Sequence, residues 1–117
     1  MARFHSFRVY QVARENLAAT YRMVAGLRGE WSLRDQMKRA ATSVVSNICE
    51  GSERGNDKEL RQFLVIARAS NGELTGQWQS AMDCGLVDEG LGQDMLARLE
   101  RCGRMLSAFI KRIDETR

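Results

Sequence analysis

The chain has 117 residues, 44% of them hydrophobic and 28% charged, with no proline and a formal net charge of +3. That length makes one domain, residues 1–117, around a single core, and the apolar fraction excludes a disordered chain. Apolar runs are too short to cross a membrane and the basic opening "MARFHSFRVYQVAR" lacks a leader's uninterrupted apolar stretch, so a cytoplasmic protein is expected.

Without proline, glycine is the main chain breaker. Gly26 and Gly29, Gly51 and Gly55, and Gly85, Gly90 and Gly92 form three clusters. The four segments they separate carry helical periodicity rather than strand alternation. The first runs from about Phe7 to Leu27, with Ser6 as N-cap and Tyr10, Ala13, Leu17, Val24 and Leu27 as apolar positions. The second starts after Ser32, with Asp35 at the capping-box distance, and carries Leu33, Met37, Ala40, Ala41, Val44 and Ile48. The third runs from about Asp57 to Cys84, with Phe63, Ile66, Ala67, Leu74 and Ala81 on one side. The fourth, from about Leu91 to Ile113, repeats Leu91, Met95, Leu99, Cys102, Leu106, Phe109 and Ile113. Short connections force neighbouring helices to run antiparallel, so the expected fold is all-α, an up-down-up-down antiparallel four-helix bundle. The alternative is a pair of long helical hairpins that becomes compact only on oligomerisation.

Reaction chemistry is hard to find in this chain. Cys49, Cys84 and Cys102 are odd in number and far apart, and His5 is the single histidine. They offer neither a disulfide framework nor metal-ligand spacing, and cysteine on a helical apolar face acts as a small hydrophobe. No catalytic residue, cofactor or metal site is expected.

Two polar patterns remain. Gln36, Arg39, Ser43, Asn47 and Glu50 fall within an arc of about 80° on the second helix, beside its apolar stripe. Ser70, Glu73 and Gln77 share the arc of Phe63, Ile66, Leu74 and Ala81 on the third. Burying Glu73 unpaired would be costly, and an antiparallel turn near residue 54 brings Arg39 within about one helical turn of it. A buried polar seam closed by Arg39 and Glu73 is therefore expected, within one chain or between subunits. A structural network fixing register is a better reading of it than a catalytic site. Glu50 and Arg54 are expected to pair locally, and Gly72 and Gly76 to permit close helix approach.

The second pattern is charge. Residues 1–28 hold Arg3, Arg8, Arg14, Arg22 and Arg28 against Glu15, and the last helix adds Arg98, Arg101 and Arg104. First and last helices are neighbours in a bundle, so these arginines are candidates for one nucleic-acid-binding surface. The sequence pI near 9.0 is mild for such a role, and a solvated helix face is the plainer explanation of one chain's arginines. Oligomerisation multiplies the charge and strengthens the binding reading.

"RAATSVVSNICEGSERG" followed by "FLVIARASNGELTGQ" resembles the bacterial four-helix-bundle proteins encoded by intervening sequences in 23S ribosomal RNA genes. Their motif is R-A-A-x-S-(I/V)-x-x-N-I-A-E-G-x-x-R. Ala67, Ser70, Glu73 and Gln77 keep the spacing of the segment that follows, and "FRVYQVARENL" resembles the family's first helix, with Tyr10 where tryptophan is frequent. Cys49 replaces the usual alanine, Ala69 a common glycine and Trp78 a frequent leucine, and "GLRGEWSL" lacks the usual proline. The resemblance implies a homo-oligomer, often pentameric, without known catalysis. It is related to the accessory variability protein of diversity-generating retroelements, a basic bundle that works with a reverse transcriptase. Two functions follow: an oligomeric scaffold binding RNA or DNA weakly and without sequence preference, or an assembly module that contacts another protein, such as a reverse transcriptase, and no nucleic acid. Trp31, Val45 and Trp78, lying off the inward faces, are the apolar residues expected at the subunit interface.

Overall fold

The computed structural model describes residues 7–27 and 31–116, Trp31 by its backbone alone. Four helices follow one another: α1 (Arg8–Val24), α2 (Trp31–Glu53), α3 (Asp57–Asp83) and α4 (Glu89–Glu115). Each packs against the next and α4 closes back on α1, giving an up-down-up-down bundle of 46 × 23 × 19 Å. The described residues contain no strand, and none of their helices is long and apolar enough to cross a membrane.

The inward faces follow a strict three-four spacing. On α3 the buried residues are Leu60, Leu64, Ala67, Asn71, Leu74, Trp78 and Ala81, the rhythm that keeps one stripe facing a partner helix. Ala67, Leu74 and Ala81 are buried as expected, but the phase shifts and Phe63 is only half-buried. Ile66 is 47% exposed, whereas Trp78 is fully buried and so belongs to the core, not to a subunit interface. Val45 packs half-buried against the core, and the side chain of Trp31 lies outside the described residues. On α4 the inward set is Gly92, Met95, Leu99, Cys102, Leu106, Ile110 and Ile113, close to expectation except that Leu91 is exposed and Ile110 takes the inward place of Phe109, which is half-buried. Burial pushes the Cys102 thiol up to about 11, as a small hydrophobe requires. Cys84, at the C-terminal cap of α3, is exposed instead.

Two apolar clusters divide the interior. Val12, Ile48, Leu64 and Leu106 belong to one, and Met37, Leu74, Trp78 and Met95 to the other. Between them Asn16 and Asn71 are buried and line a void too small for a water molecule. Asn71 Nδ2 donates to the Leu99 carbonyl at 2.8 Å, and Asn16 Nδ2 donates to the adjacent Arg98 carbonyl at 3.4 Å. The two amides thus meet α4 at one level from different helices. The Asn71 bond is the tighter of the two and favours one register of α4, while Asn71 Oδ1 has no hydrogen-bond partner among the described residues.

Caps and turns depart from the expected boundaries in local ways. The expected cap Ser6 lies outside the described residues, and Phe7 precedes α1 without a side-chain cap. Ser32 lies inside the first turn of α2, where Gln36 Nε2 donates to its hydroxyl, so no capping box forms there. Asn56 caps α3 by accepting from the Glu59 amide at 2.9 Å, and Asp88 caps α4 by accepting from the Leu91 amide at 3.2 Å. The latter starts α4 earlier than expected. Among the described residues only Gly55 and Gly85 take positive φ, +80° and +70°, and make the turns. Gly51 lies within α2, and Gly90 and Gly92 within α4, so these glycines do not break the chain.

Candidate nucleic-acid interface and polar seam

The seam forms in part. The hydroxyls of Ser43 and Ser70 share a hydrogen bond of 2.7 Å across α2 and α3, and Asn47 Nδ2 donates to Ser43 Oγ at 3.0 Å and to the Ser43 carbonyl at 2.8 Å. All three residues are half-buried at the shoulder between the helices. Gln77 is also half-buried, its Oε1 without a hydrogen-bond partner among the described residues.

The charged members do not join them. The Arg39 side chain is 79% exposed and pairs at 3.0 Å with Asp35 on its own helix. Glu73 and Gln36 are exposed as well, so the buried Arg39–Glu73 pair is not formed within the chain. Its failure is rotational, not axial. The Ser43–Ser70 bond puts Arg39 level with Leu74, but inward Leu74 turns Glu73 about 100° toward solvent. Glu50 pairs with Arg54 at 3.0 Å, as expected, in an exposed pair. Pairs of that kind contribute about 1 kcal/mol or less. Arg39→Ala is accordingly expected to lower the unfolding free energy by less than about 1 kcal/mol in urea titration; a loss of about 3–5 kcal/mol would mark a buried charge partner instead.

The arginine candidates divide by what already engages them. The Arg14 guanidinium lies 5.6 Å from the Tyr10 ring centroid, a cation–π position. Arg98 pairs with Asp94 at 3.0 Å, and Arg104 pairs with Glu100. Arg8, Arg22 and Arg101 are exposed and make no ion pair among the described residues. Arg3 and Arg28 lie outside the described residues. Sequence reasoning passes over Lys111 and Arg112, which the antiparallel closure of α4 on α1 brings beside Arg8. The available signal is that they lie about two helical turns beyond Arg104, on the same side of the helix as Arg101 and Arg104.

Residues 5–108 match the sequence profile of the 23S rRNA-intervening sequence protein family. Among solved structures, the chain is similar to a protein of unknown function from the S23 ribosomal protein family of Bacteroides thetaiotaomicron. The TM-score is 0.84 at 17% identity, covering 88% of this chain and 98% of that one. That likeness is one of fold. No curated protein matches the chain.

Proposed function

The chain belongs to the 23S rRNA-intervening sequence protein family, and from that premise we propose a non-enzymatic, cytoplasmic homo-oligomeric scaffold, pentameric by resemblance, that binds nucleic acid weakly and without sequence preference. The observation that carries the binding is the group of cations on α1 and α4, with Arg8, Lys111 and Arg112 gathered where the two helices meet. Clustered cations release counterions from a phosphate backbone, and repetition around an oligomer multiplies the effect. Assembly is supported by the outer side of α3, where Gly72 and Gly76 have open space over the Cβ position. No described residue of the same chain fills that space, contrary to the expected close approach, and a second copy can come near it.

Arg8, Arg101, Lys111 and Arg112 replaced together by glutamine should preserve oligomer mass in light scattering. The slope of log affinity against log salt should shrink by roughly 0.7 for each single-strand phosphate that is no longer neutralised. A stable monomer at micromolar concentration rejects the scaffold. An oligomer that binds neither RNA nor DNA at about 50 mM salt, where such binding is strong, leaves the second reading, a protein-only assembly module such as a reverse-transcriptase accessory. The local engagement of Arg14, Arg98 and Arg104 favours that second reading.

A further inference from the structure

We propose that the groove between the start of α1 and the end of α4 is a seat for an unpaired base, so that this protein prefers single-stranded nucleic acid to duplex. The inference rests on the nucleic-acid reading above and refines it. The groove is open to solvent and offers about 550 Å³ of space. Its floor is apolar, made by Val9, Met105, Ala108 and Phe109. Phe7 meets Phe109 in an edge-to-face contact, ring centroids 4.8 Å apart and planes at 82°, which fixes the ring's orientation.

The rim carries opposite chemistry. Arg8, Lys111 and Arg112 stand around the floor against one carboxylate, Glu115, and the three cations are not ion-paired among the described residues. The Arg112 guanidinium lies 5.3 Å from the Phe109 centroid, a cation–π position at the edge of the groove. A ligand complementary to this site presents a flat, largely apolar face within a few ångströms of an anion. An unstacked nucleotide does so, its base available to Phe109 or the guanidinium and its phosphate to the rim. A duplex offers the phosphates and hides the base faces. Charge on the rim alone would favour the duplex, whose phosphates are denser; only the apolar floor favours the single strand.

The test uses the full-length protein at about 50 mM salt and fluorescence anisotropy with three labelled probes of equal length: a uridine homopolymer, an RNA duplex and an abasic strand carrying phosphates alone. The homopolymer is expected to bind about tenfold more tightly than either other probe, the order of one base stacked on an aromatic ring. Phe109→Leu, which keeps an apolar side chain at this half-buried position and removes the ring, should abolish that preference and leave abasic binding unchanged. Ala108→Gln, at an exposed position, should obstruct the floor with the same result and without risk to the core. Equal binding of all three probes, unchanged in both variants, overturns the groove while leaving backbone binding intact. Absence of binding to every probe removes both readings. A fall in oligomer mass for Ala108→Gln in light scattering shows that a second copy occupies the groove, and also overturns the inference.

Discussion

Trp78→Ala is expected to cost about 3–5 kcal/mol of unfolding free energy, a large share of the roughly 5–15 kcal/mol typical of a folded domain. Trp78 is fully buried in the cluster formed with Met37, Leu74 and Met95. Truncation removes the largest of the buried side chains and leaves a cavity that four helices must collapse to fill. Part of the loss is offset, because the indole Nε1 has no hydrogen-bond partner among the described residues, and burial of that donor ceases in the variant. Ile66→Ala provides the comparison. Ile66 is 47% exposed on the same helix, so its truncation should change unfolding by no more than about 0.5 kcal/mol. Urea titration followed by circular dichroism separates the two. Equal losses at both positions would mean that α3 is rotated from the orientation described, whereas a drop in oligomer mass for Ile66→Ala alone would place that residue between copies.

The same rotation governs what can be read from the sequence. Four helices, their order and the inward stripe of α4 are legible, because apolar residues there recur at steps of three and four with little interruption. On α3 two stripes compete. The expected stripe (Phe63, Ile66, Ala67, Leu74 and Ala81) and the buried one share Ala67, Leu74 and Ala81, but Leu60 and Leu64 replace Phe63 and Ile66, which turns the mean direction by about 50°. The choice is obscured because the true stripe contains Asn71, a polar residue at a core position, and Trp78, whose large ring and polar N–H suit an interface as well as a core. With Phe63 and Ile66 facing inward, Glu73 would have to be buried, and Arg39 would be needed to neutralise it. The hydroxyl and amide part of the seam forms regardless, because Ser70, inside the expected stripe, lies at the shoulder of the observed one and still meets Ser43 and Asn47. The charged part depends on the phase and does not form. The role of Asn71 is illegible for a further reason. Its partner is a backbone carbonyl, Leu99 O, which every residue possesses. A trace of it exists in Gly103, where a Cβ would come 3.3 Å from Asn71 Nδ2, so a glycine in mid-helix makes room for the amide.

Gly51→Ala should destabilise the chain by about 1–3 kcal/mol, as overpacking does, although alanine is the better helix former by about 1 kcal/mol. A Cβ at Gly51 would lie 2.8 Å from Phe63 Cβ, 3.1 Å from Leu60 Cδ1 and 3.3 Å from the Leu60 carbonyl oxygen. The leucine methyl can rotate away. Phe63 Cβ and the carbonyl are fixed to the backbone of α3, so the two helices must separate just before the turn at Gly55. Separation there loosens the packing of Ile48 and Leu60 in the core, which is why helix propensity does not prevail. Gly72→Ala and Gly76→Ala make the same chemical change within α3, where a new Cβ meets nothing within 4 Å. Each should stabilise the isolated chain by about 0.5–1 kcal/mol. Identical substitutions with opposite signs test packing separately from propensity, and unfolding titration of the three variants reads the difference directly. Stabilisation by Gly51→Ala would show that α2 and α3 do not approach as described. If Gly72→Ala lowers oligomer mass while stabilising the chain, the open side of α3 is where copies meet.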